Sequence, residues 1–515
     1  MIMKNIKKRI GVLLAVLTVA ACTNDFEELN TNDNLPLSVT PDLLLAGVIR
    51  NTVSDQVDEA YGLGNIVMQQ SAKILFLAED RYNWGERNGI WNNVYDNMRD
   101  VNGIISLAES AIPVQNNYLG VALVMKSWLF SLATDAYGDI PYSEAGKAKT
   151  DRIFLPKYDA QESIYDGILA DLRKANEILG TSSESIAGDL IYGGGSGSVI
   201  KWRKLANSLR LRYLMRISDR RDVKAEMQSI VDNPDQNPIF ENNEDNAVLE
   251  YLEASPNQWP LYTFRVGSFN EVRISKKFSD FLTSINDPRL AVFARPTEKS
   301  IAEGSPVIEG VPNALEDSQA NSFNGGSEGI SRIGLTFACL VCNDVGKAAP
   351  VPNAARGLIM TYSELQFILA EARERGLITT GDAAVFYTQG INANFDYYRE
   401  IVPSEYEIDL TLPAGYFDQP DVVYSGTSGE KLVKIGTQKW IALHFNGLEA
   451  WYDWRRTGIP EIIPGPTAAN DGRVPVRYIY PLSEQSLNGI NRAEAVSRQG
   501  ADDLNTRVWW DVNPN

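Results

Sequence analysis

The chain has 515 residues, an ordinary apolar fraction of 44% and a formal net charge of −18. A chain this acidic lacks the basic surface that binding to phosphate groups needs. We therefore expect no nucleic-acid partner. Three cysteines and a single histidine also exclude a disulfide framework and a zinc site built from cysteine and histidine. We therefore expect no bound metal and no cofactor.

The N-terminus has the features of an export signal with a lipid anchor. A basic run precedes the uncharged apolar stretch 10–21, which has the length of a signal-peptide core and is too short to span a bilayer. Val-Ala-Ala-Cys22 follows and resembles the bacterial lipobox. We expect residues 1–21 to be removed, Cys22 to be acylated and residues 22–39 to form a polar tether. The alternative is an ordinary secretory signal in which Cys22 is incidental.

Helical periodicity dominates the chain from residue 40 onward. Thr40-Pro41-Asp42 supplies an N-cap and a proline at the first helical position, which predicts a helix start there. Ala370 and Ala372 would let paired helices approach closely. Apolar residues at helical spacing, and a helix hairpin behind Arg375-Gly376, predict further helices over 121–132, 202–213, 358–372, 382–398 and 432–447.

Two regions have irregular composition. Residues 191–198, IYGGGSGS, lack the Lys-Ser/Thr ending of a phosphate loop and are predicted to be a linker. Residues from about 235 to 355 are rich in Asn, Pro, Gly and Ser and are predicted to be loop-rich. Cys339 and Cys342 lie in this region, where their C-x-x-C spacing predicts either a local disulfide or two packed thiols.

No motif in the chain specifies catalysis. The only histidine, His444, lies in an apolar helical stretch and is predicted to be a packed core residue. Glu364 and Glu371 stand seven residues apart, a spacing that suits a solvated helix face or a structural salt bridge as well as a catalytic pair. We therefore expect that the protein is not an enzyme.

Aromatic residues in polar loops are the predicted ligand-binding residues. A sugar ring stacks its apolar face on an aromatic side chain, while Asn, Gln and Arg bind its hydroxyls. For each aromatic residue, the alternative is that it anchors its loop to the core. The candidates are three aromatic residues, Trp84, Trp259 and Tyr262, and three polar neighbours, Arg81, Asn83 and Gln258.

Several segments, in this order, resemble the SusD/RagB family of outer-membrane nutrient-binding lipoproteins, and its second subfamily in particular. No one segment is specific, but the ordered set is. The segments are DFEELNTN after Cys22, YGDIPYSEA at 137–145, the helix from Trp202 to Arg212, SINDPRL at 284–290, MTYSELQFILAEA at 360–372, GLEAWYDWRRTG at 447–458 and VWWD at 508–511.

The resemblance implies an all-α fold over residues 40–515, with four tetratricopeptide-like helix pairs and a loop-rich subdomain packed on them. It implies an outer-membrane lipoprotein, facing the cell exterior, that binds oligosaccharides or peptides and delivers them to a SusC-like TonB-dependent transporter. The matched motifs are expected to determine the fold, with Trp451, Asp453, Arg455 and Arg456 forming an ion pair inside aromatic packing. The alternatives are a surface glycan hydrolase and a tetratricopeptide-like structural scaffold.

Overall fold

The computed structural model describes residues 39–195, 197–341 and 348–513. The chain divides into two compact units, Met1–Thr40 and Pro41–Asn515, and only the second contains described helices and strands. The predicted lipidation residue Cys22 and residue Cys342 lie outside the described residues. Cys339 is fully buried and disulfide-bonded.

Five long helices follow one another in the first half of the chain. Each packs on the next, α1 on α2, α2 on α3, α3 on α4 and α4 on α5. Packing between successive helices is the arrangement of tetratricopeptide-type stacks. These helices are α1 (Pro41–Glu59), α2 (Gly89–Ser110), α3 (Asn116–Tyr137), α4 (Gln161–Leu179) and α5 (Ser198–Ile217).

The second half adds a helix hairpin and several short helices. Helices α9 and α10 pack together, and α9 also packs on α5 and α11, which joins the hairpin to the first five helices. The described chain is therefore all-α and tetratricopeptide-like, as predicted. These helices are α6 (Lys224–Asp232), α7 (Lys276–Ser284), α8 (Asp317–Ser322), α9 (Tyr362–Glu374), α10 (Ala383–Ile401), α11 (Ser428–Ala442), α12 (Glu449–Thr457), α13 (Leu482–Leu487) and α14 (Gly489–Gln499).

The described strands form three antiparallel pairs. They are β1 (Ser71–Lys73) with β5 (Val272–Ile274), β2 (Ile140–Pro141) with β3 (Tyr158–Asp159), and β4 (Ala247–Glu250) with β6 (Arg356–Met360). Strands β4 and β6 and the helical turn Pro260–Thr263 pack against α1. The irregular part of the chain is in this way attached to the helix stack.

Some predicted helix boundaries are confirmed and others are wrong. The α1 start at Pro41 and the α10 start after Asp382, whose carboxylate caps Ala384 and Val385, are confirmed. Leu358 lies in β6 and not in a helix, because α9 begins only after Thr361, which caps the nitrogen of Glu364. Helix α11 ends at Ala442 rather than Gly447.

The hydrophobic core lies within the Pro41–Asn515 unit. Its described members run from Leu45 to Trp510, so the chain from Val39 onward contains all of the packing that the structure describes. Helix α3 is the one described helix with the length and hydropathy of a membrane span. The most apolar 18-residue stretch of α3 is 94% buried inside the fold, as expected of a core helix.

Buried ion pairs join the helices of the second half. Asp453 lies 2.9 Å from Lys439 Nζ and 2.8 Å from Arg456 Nη2, and Arg456 also binds Glu371. The Arg455 guanidinium lies 4.3 Å from the centre of the Trp451 ring. The predicted ion pair inside aromatic packing is thus confirmed. Glu364 binds Arg212 at 2.6 Å, so Glu364 and Glu371 both belong to structural salt bridges.

Candidate functional site

The segment from residue 74 to residue 88, here called the 74–88 loop, connects β1 to α2 and carries exposed aromatic surface. Successive turn hydrogen bonds make it compact, from the backbone N–H of Arg81 to the Leu77 carbonyl and from that of Asn83 to the Ala78 carbonyl. Phe76 is 75% exposed, Asn83 is exposed and Trp84 is half-buried. The loop therefore offers an apolar ring face next to polar groups.

Two bulky residues of the 74–88 loop have left-handed backbone conformations. Phe76 has φ +53° and Tyr82 has φ +57°. Side chains of this size rarely adopt such angles, and such positions cluster at functional sites. The surrounding contacts must hold this loop in place against the strain.

Asp80 attaches the loop to the segment that precedes α8. Its carboxylate accepts hydrogen bonds from Asn313 Nδ2 at 2.7 Å and from the backbone N–H of Ala314 at 2.6 Å. Asp80 is only 1% exposed, and this burial raises its pKa to about 7, even though both hydrogen bonds oppose the shift. The attachment therefore contains a group that titrates near neutral pH.

Arg81 joins the loop to two other segments. Its guanidinium lies 3.3 Å from Glu316 and 3.4 Å from Asp317 at the start of α8, and its Nε donates to the Thr467 carbonyl. The backbone N–H of Ala469 donates to the Arg81 carbonyl at 2.7 Å. The carboxylates are exposed, so these ion pairs orient Arg81 but contribute little stability.

Trp84 packs one side against the core and the edge of Tyr82, with ring centres 6.2 Å apart. Its indole N–H makes no hydrogen bond to any described residue. Phe76, Asn83, Trp84 and Arg81 together provide apolar ring surface, an amide and a guanidinium. These are the groups that bind the faces and hydroxyls of sugar rings.

The predicted ligand residues of the second loop lie differently. Trp259 is 1% exposed, its indole N–H donates to the Phe337 carbonyl, and its ring packs on Tyr251, Phe337 and Phe445. Tyr262 is 8% exposed, and its carbonyl accepts from Leu340. Both rings are buried, so the prediction that they bind ligand is corrected in favour of the alternative, that they anchor their loop to the core. For Trp259 the cause is its enclosure by the three aromatic rings.

No described contact links the second loop, which carries Gln258, to the 74–88 loop. The Gln258 side chain donates to the Glu253 carbonyl of its own loop. In the described part of the chain, no hydrogen bond or ring contact joins residues 81–84 to residues 258–262. Arg81, Asn83 and Trp84 therefore belong to one loop, and Gln258, Trp259 and Tyr262 to another.

Phe76 is the surface residue that sequence reasoning missed. It stands in Ile74-Leu75-Phe76-Leu77, an apolar run that is typical of a buried strand. The pairing of β1 with β5 ends at Lys73, directly before this run. The left-handed backbone at Phe76 then turns its ring outward. Leu75 is 44% exposed beside it. The acidic and Gly-containing stretch that follows was the available signal for a surface loop.

His444 is a core residue, as predicted. It is 1% exposed and lies among the rings of Phe278, Phe293 and Phe337 at 4.5–5.6 Å between centres. Burial lowers its pKa to about 3, so it stays neutral. Among the described residues, no group of three or more His, Cys, Asp or Glu side chains is arranged to hold a metal ion.

A cavity of about 600 Å³ lies beside Trp509, near the C-terminus. Its charged side chains bind one another, with Arg498 2.6 Å from Asp139 and Arg507 2.6 Å from Asp511. Arg221 lies over the Trp509 ring at 5.3 Å. These charged groups of the cavity are therefore already paired within the protein.

Residues 33–481 match the second SusD-like family model, whose description is starch-binding associating with outer membrane. No curated protein matches the chain.

Solved structures of similar fold match nearly the whole chain. A chitin-binding protein is 31% identical, with a TM-score of 0.77, and 92% of this chain aligns with 100% of that one. A SusD homologue from Bacteroides fragilis is 29% identical over 92% of this chain and 99% of its own, with a TM-score of 0.77. A protein from Bacteroides vulgatus, described as an outer-membrane protein involved in nutrient binding, is 28% identical over 92% of this chain and 100% of its own, with a TM-score of 0.79.

Proposed function

Because the chain belongs to the SusD-like family, whose description is starch-binding in association with the outer membrane, we propose that it binds oligosaccharides at the cell surface. The observation that carries this proposal is the exposed Phe76 ring on a loop that Asp80 and Arg81 attach to the fold. A ring held outward at a strained backbone position supports a binding role, because strained positions cluster at functional sites.

Oligosaccharide is proposed ahead of peptide for two reasons. A relative that is 31% identical over its whole length is a chitin-binding protein. The 74–88 loop combines ring faces with the Asn83 amide and the Arg81 guanidinium, which suits a chain of sugar rings. Trp84, half-buried on the same loop, would extend the stacking surface.

We propose further that the protein is anchored to the outer membrane through acylated Cys22, faces the exterior and passes its ligand to a SusC-like TonB-dependent transporter. The lipobox-like sequence before Cys22 supports the anchor, and family membership supports the location. Binding would proceed without chemistry on the ligand. His444 is buried and neutral, and Glu364, Glu371 and Asp453 are bound in ion pairs, which supports this point.

Calorimetry on the chain from Val39 to Asn515 tests the ligand class. The titrants are oligosaccharides of starch, oligosaccharides of chitin and peptides of similar length, each followed by mass spectrometry of the mixture. We expect binding to at least one oligosaccharide and no new products. Binding of peptides alone, or cleavage products that disappear in a carboxylate variant, would overturn the proposal.

A further inference from the structure

A cluster of large apolar side chains lies on the surface, away from any described core cluster. Phe154 is 73% exposed, Leu155 58%, Leu487 68% and Ile490 78%. We call these four residues the apolar patch. Single exposed apolar residues are ordinary, but four that lie together mark an interaction surface.

Hydrogen bonds bring the two parts of the apolar patch together. Asn488 Nδ2 donates to the Pro156 carbonyl at 2.8 Å, and Asn491 Nδ2 donates to the Leu155 carbonyl at 2.9 Å. These asparagines flank Gly489 and Ile490 at the start of α14. The Tyr158 hydroxyl also donates to Glu484 of α13 at 2.7 Å. The loop that carries Phe154 is therefore fixed against α13 and α14.

The segment before and after Phe154 is basic, although the chain as a whole has a net charge of −18. Residues 147–157 contain four cations and one anion, which gives 4 − 1 = +3, and all five side chains are exposed. They are Lys147, Lys149, Arg152 and Lys157, with Asp151 as the anion.

Charges on neighbouring elements offset part of this excess. Lys157 lies 3.8 Å from Asp159, which offsets one cation. Arg492 and Arg498 of α14 are paired with Asp502 and Asp139 and do not balance Glu484 and Glu494. The other three cations beside Phe154, which are Lys147, Lys149 and Arg152, are exposed and form no ion pair with any described residue.

We propose that the apolar patch and its basic rim dock on an anionic lipid surface. Apolar side chains enter the boundary between headgroups and acyl chains, while Lys and Arg bind the lipid phosphates. The complementarity is specific to this segment, because the remaining acidic surface would be repelled by an anionic leaflet. This contact goes beyond glycan binding, since it would orient the protein on the membrane with or without a ligand.

Vesicle co-sedimentation tests the contact with the chain from Val39 to Asn515, which retains all described packing and lacks the predicted anchor. Vesicles of phosphatidylcholine alone are compared with vesicles that also contain phosphatidylglycerol. We expect binding only to the anionic vesicles, and weakening as salt is raised, because surface charges are screened by salt.

Variants test the two parts of the patch separately. We expect Lys147→Gln/Lys149→Gln/Arg152→Gln to weaken binding by about tenfold or more, from the attraction of each cation to an anionic surface. We expect Phe154→Ser/Ile490→Ser to weaken it by about tenfold or more as well, through lost apolar burial. The controls alter exposed residues elsewhere, Lys174→Gln/Lys224→Gln/Lys299→Gln and Val385→Ser, and should bind as the unchanged chain does.

Three results would overturn the proposal. One is no binding to anionic vesicles. Another is equal binding by the patch variants and the controls, with all variants melting at the temperature of the unchanged chain. The third is a concentration-dependent dimer, or a complex with a membrane protein, that Phe154→Ser/Ile490→Ser abolishes while vesicle binding is unaffected. That result would assign the apolar patch to a protein partner.

Discussion

The two tryptophans that were predicted to bind ligand lie in opposite environments. Trp84 is half-buried on the 74–88 loop, whereas Trp259 is enclosed by Tyr251, Phe337 and Phe445. Their local sequences are both typical of loops, since Trp84 lies beside Asn and Gly, and Trp259 beside Asn, Gln and Pro. Sequence alone could not separate them, because the residues that enclose Trp259 are between 8 and 186 positions away along the chain.

We predict that Trp259→Ala lowers the free energy of unfolding by about 3–5 kcal/mol, the usual cost of removing a fully buried aromatic ring. The affinity of the folded variant for ligand should not change, because the Trp259 ring has no exposed face. Thermal melting and calorimetry on the same preparation measure both. A large loss of affinity with an unchanged melting temperature would show that Trp259 binds ligand directly.

Asp80 should make stability depend on pH. Its pKa in the folded state, about 7, lies above the ordinary value of 3.8, so the folded protein holds a proton that the unfolded chain has released between these values. The unfolding free energy contributed by Asp80 therefore falls as pH rises through this window, by up to about 1.4 kcal/mol per pH unit. Asp55 and Asp58, with pKa values raised to about 6 by burial, act in the same direction.

Comparison with Asp80→Asn isolates this residue. Urea unfolding of both proteins from about pH 5 to about pH 8 should show that the unchanged chain loses stability relative to the variant as pH rises. Contributions from Asp55 and Asp58 are common to both proteins and cancel. A stability difference that stays constant with pH would contradict the raised pKa of Asp80.

The elements were predictable where local chemistry determines them. The start of α1 at Pro41 was predicted from the local sequence Thr40-Pro41-Asp42, and the helix predicted over 382–398 begins directly after Asp382, which caps it. The end of α11 was not, because the chain turns at Phe445 and Gly447, which have φ +60° and +51°. The carbonyl of Gly447 packs on Gly64, which is 383 positions away along the chain. No local sequence pattern could predict this contact.

Close approach of α9 and α10 depends on Gly390. A Cβ at this position would lie 2.8 Å from the ring of Phe367, which is fully buried and has no space to move into. We predict that Gly390→Ala lowers the free energy of unfolding by about 1–2 kcal/mol, the cost of overpacking less the gain in helix propensity. Denaturant unfolding measures the change.

Gly429→Ala is the matched control, since Gly429 also lies in a helix, α11, but has nothing within 4 Å of the added Cβ. It should be neutral or stabilise by less than about 1 kcal/mol. If Gly390→Ala were as stable as Gly429→Ala, the proposed tight packing of the hairpin would be wrong.

For the molecule as a whole, the all-α fold followed from an ordered set of motifs, many of which the structure places in buried ion pairs. Arg212, Glu364, Asp453 and Arg456 are buried in such pairs, and packing of this kind tolerates little change. The ligand surface is different. The residues proposed to bind ligand were predicted in part, since Arg81, Asn83 and Trp84 stand in a polar loop sequence, whereas Phe76 stands in an apolar run that is typical of a buried strand and was missed.

The anchor is the prediction that concerns the chain as it is exported. We expect Cys22→Ala to give either soluble mature protein or uncleaved precursor, because the thiol that takes the diacylglycerol is lost. Fractionation of cells followed by mass spectrometry of the N-terminus measures this. Normal processing and continued membrane attachment of the variant would contradict the lipoprotein assignment.

The central claim is that the 74–88 loop binds a glycan through its aromatic rings. Calorimetry with an oligosaccharide that the chain binds tests it most directly, on Phe76→Ala and Trp84→Ala, with Phe154→Ala as a control of similar exposure and with melting followed in parallel. We predict about tenfold weaker binding for each loop variant, since a stacked ring contributes roughly 1 kcal/mol or somewhat more, and unchanged binding for Phe154→Ala. Affinity equal to that of the unchanged chain in both loop variants, with the fold intact, would contradict the claim and place the glycan elsewhere.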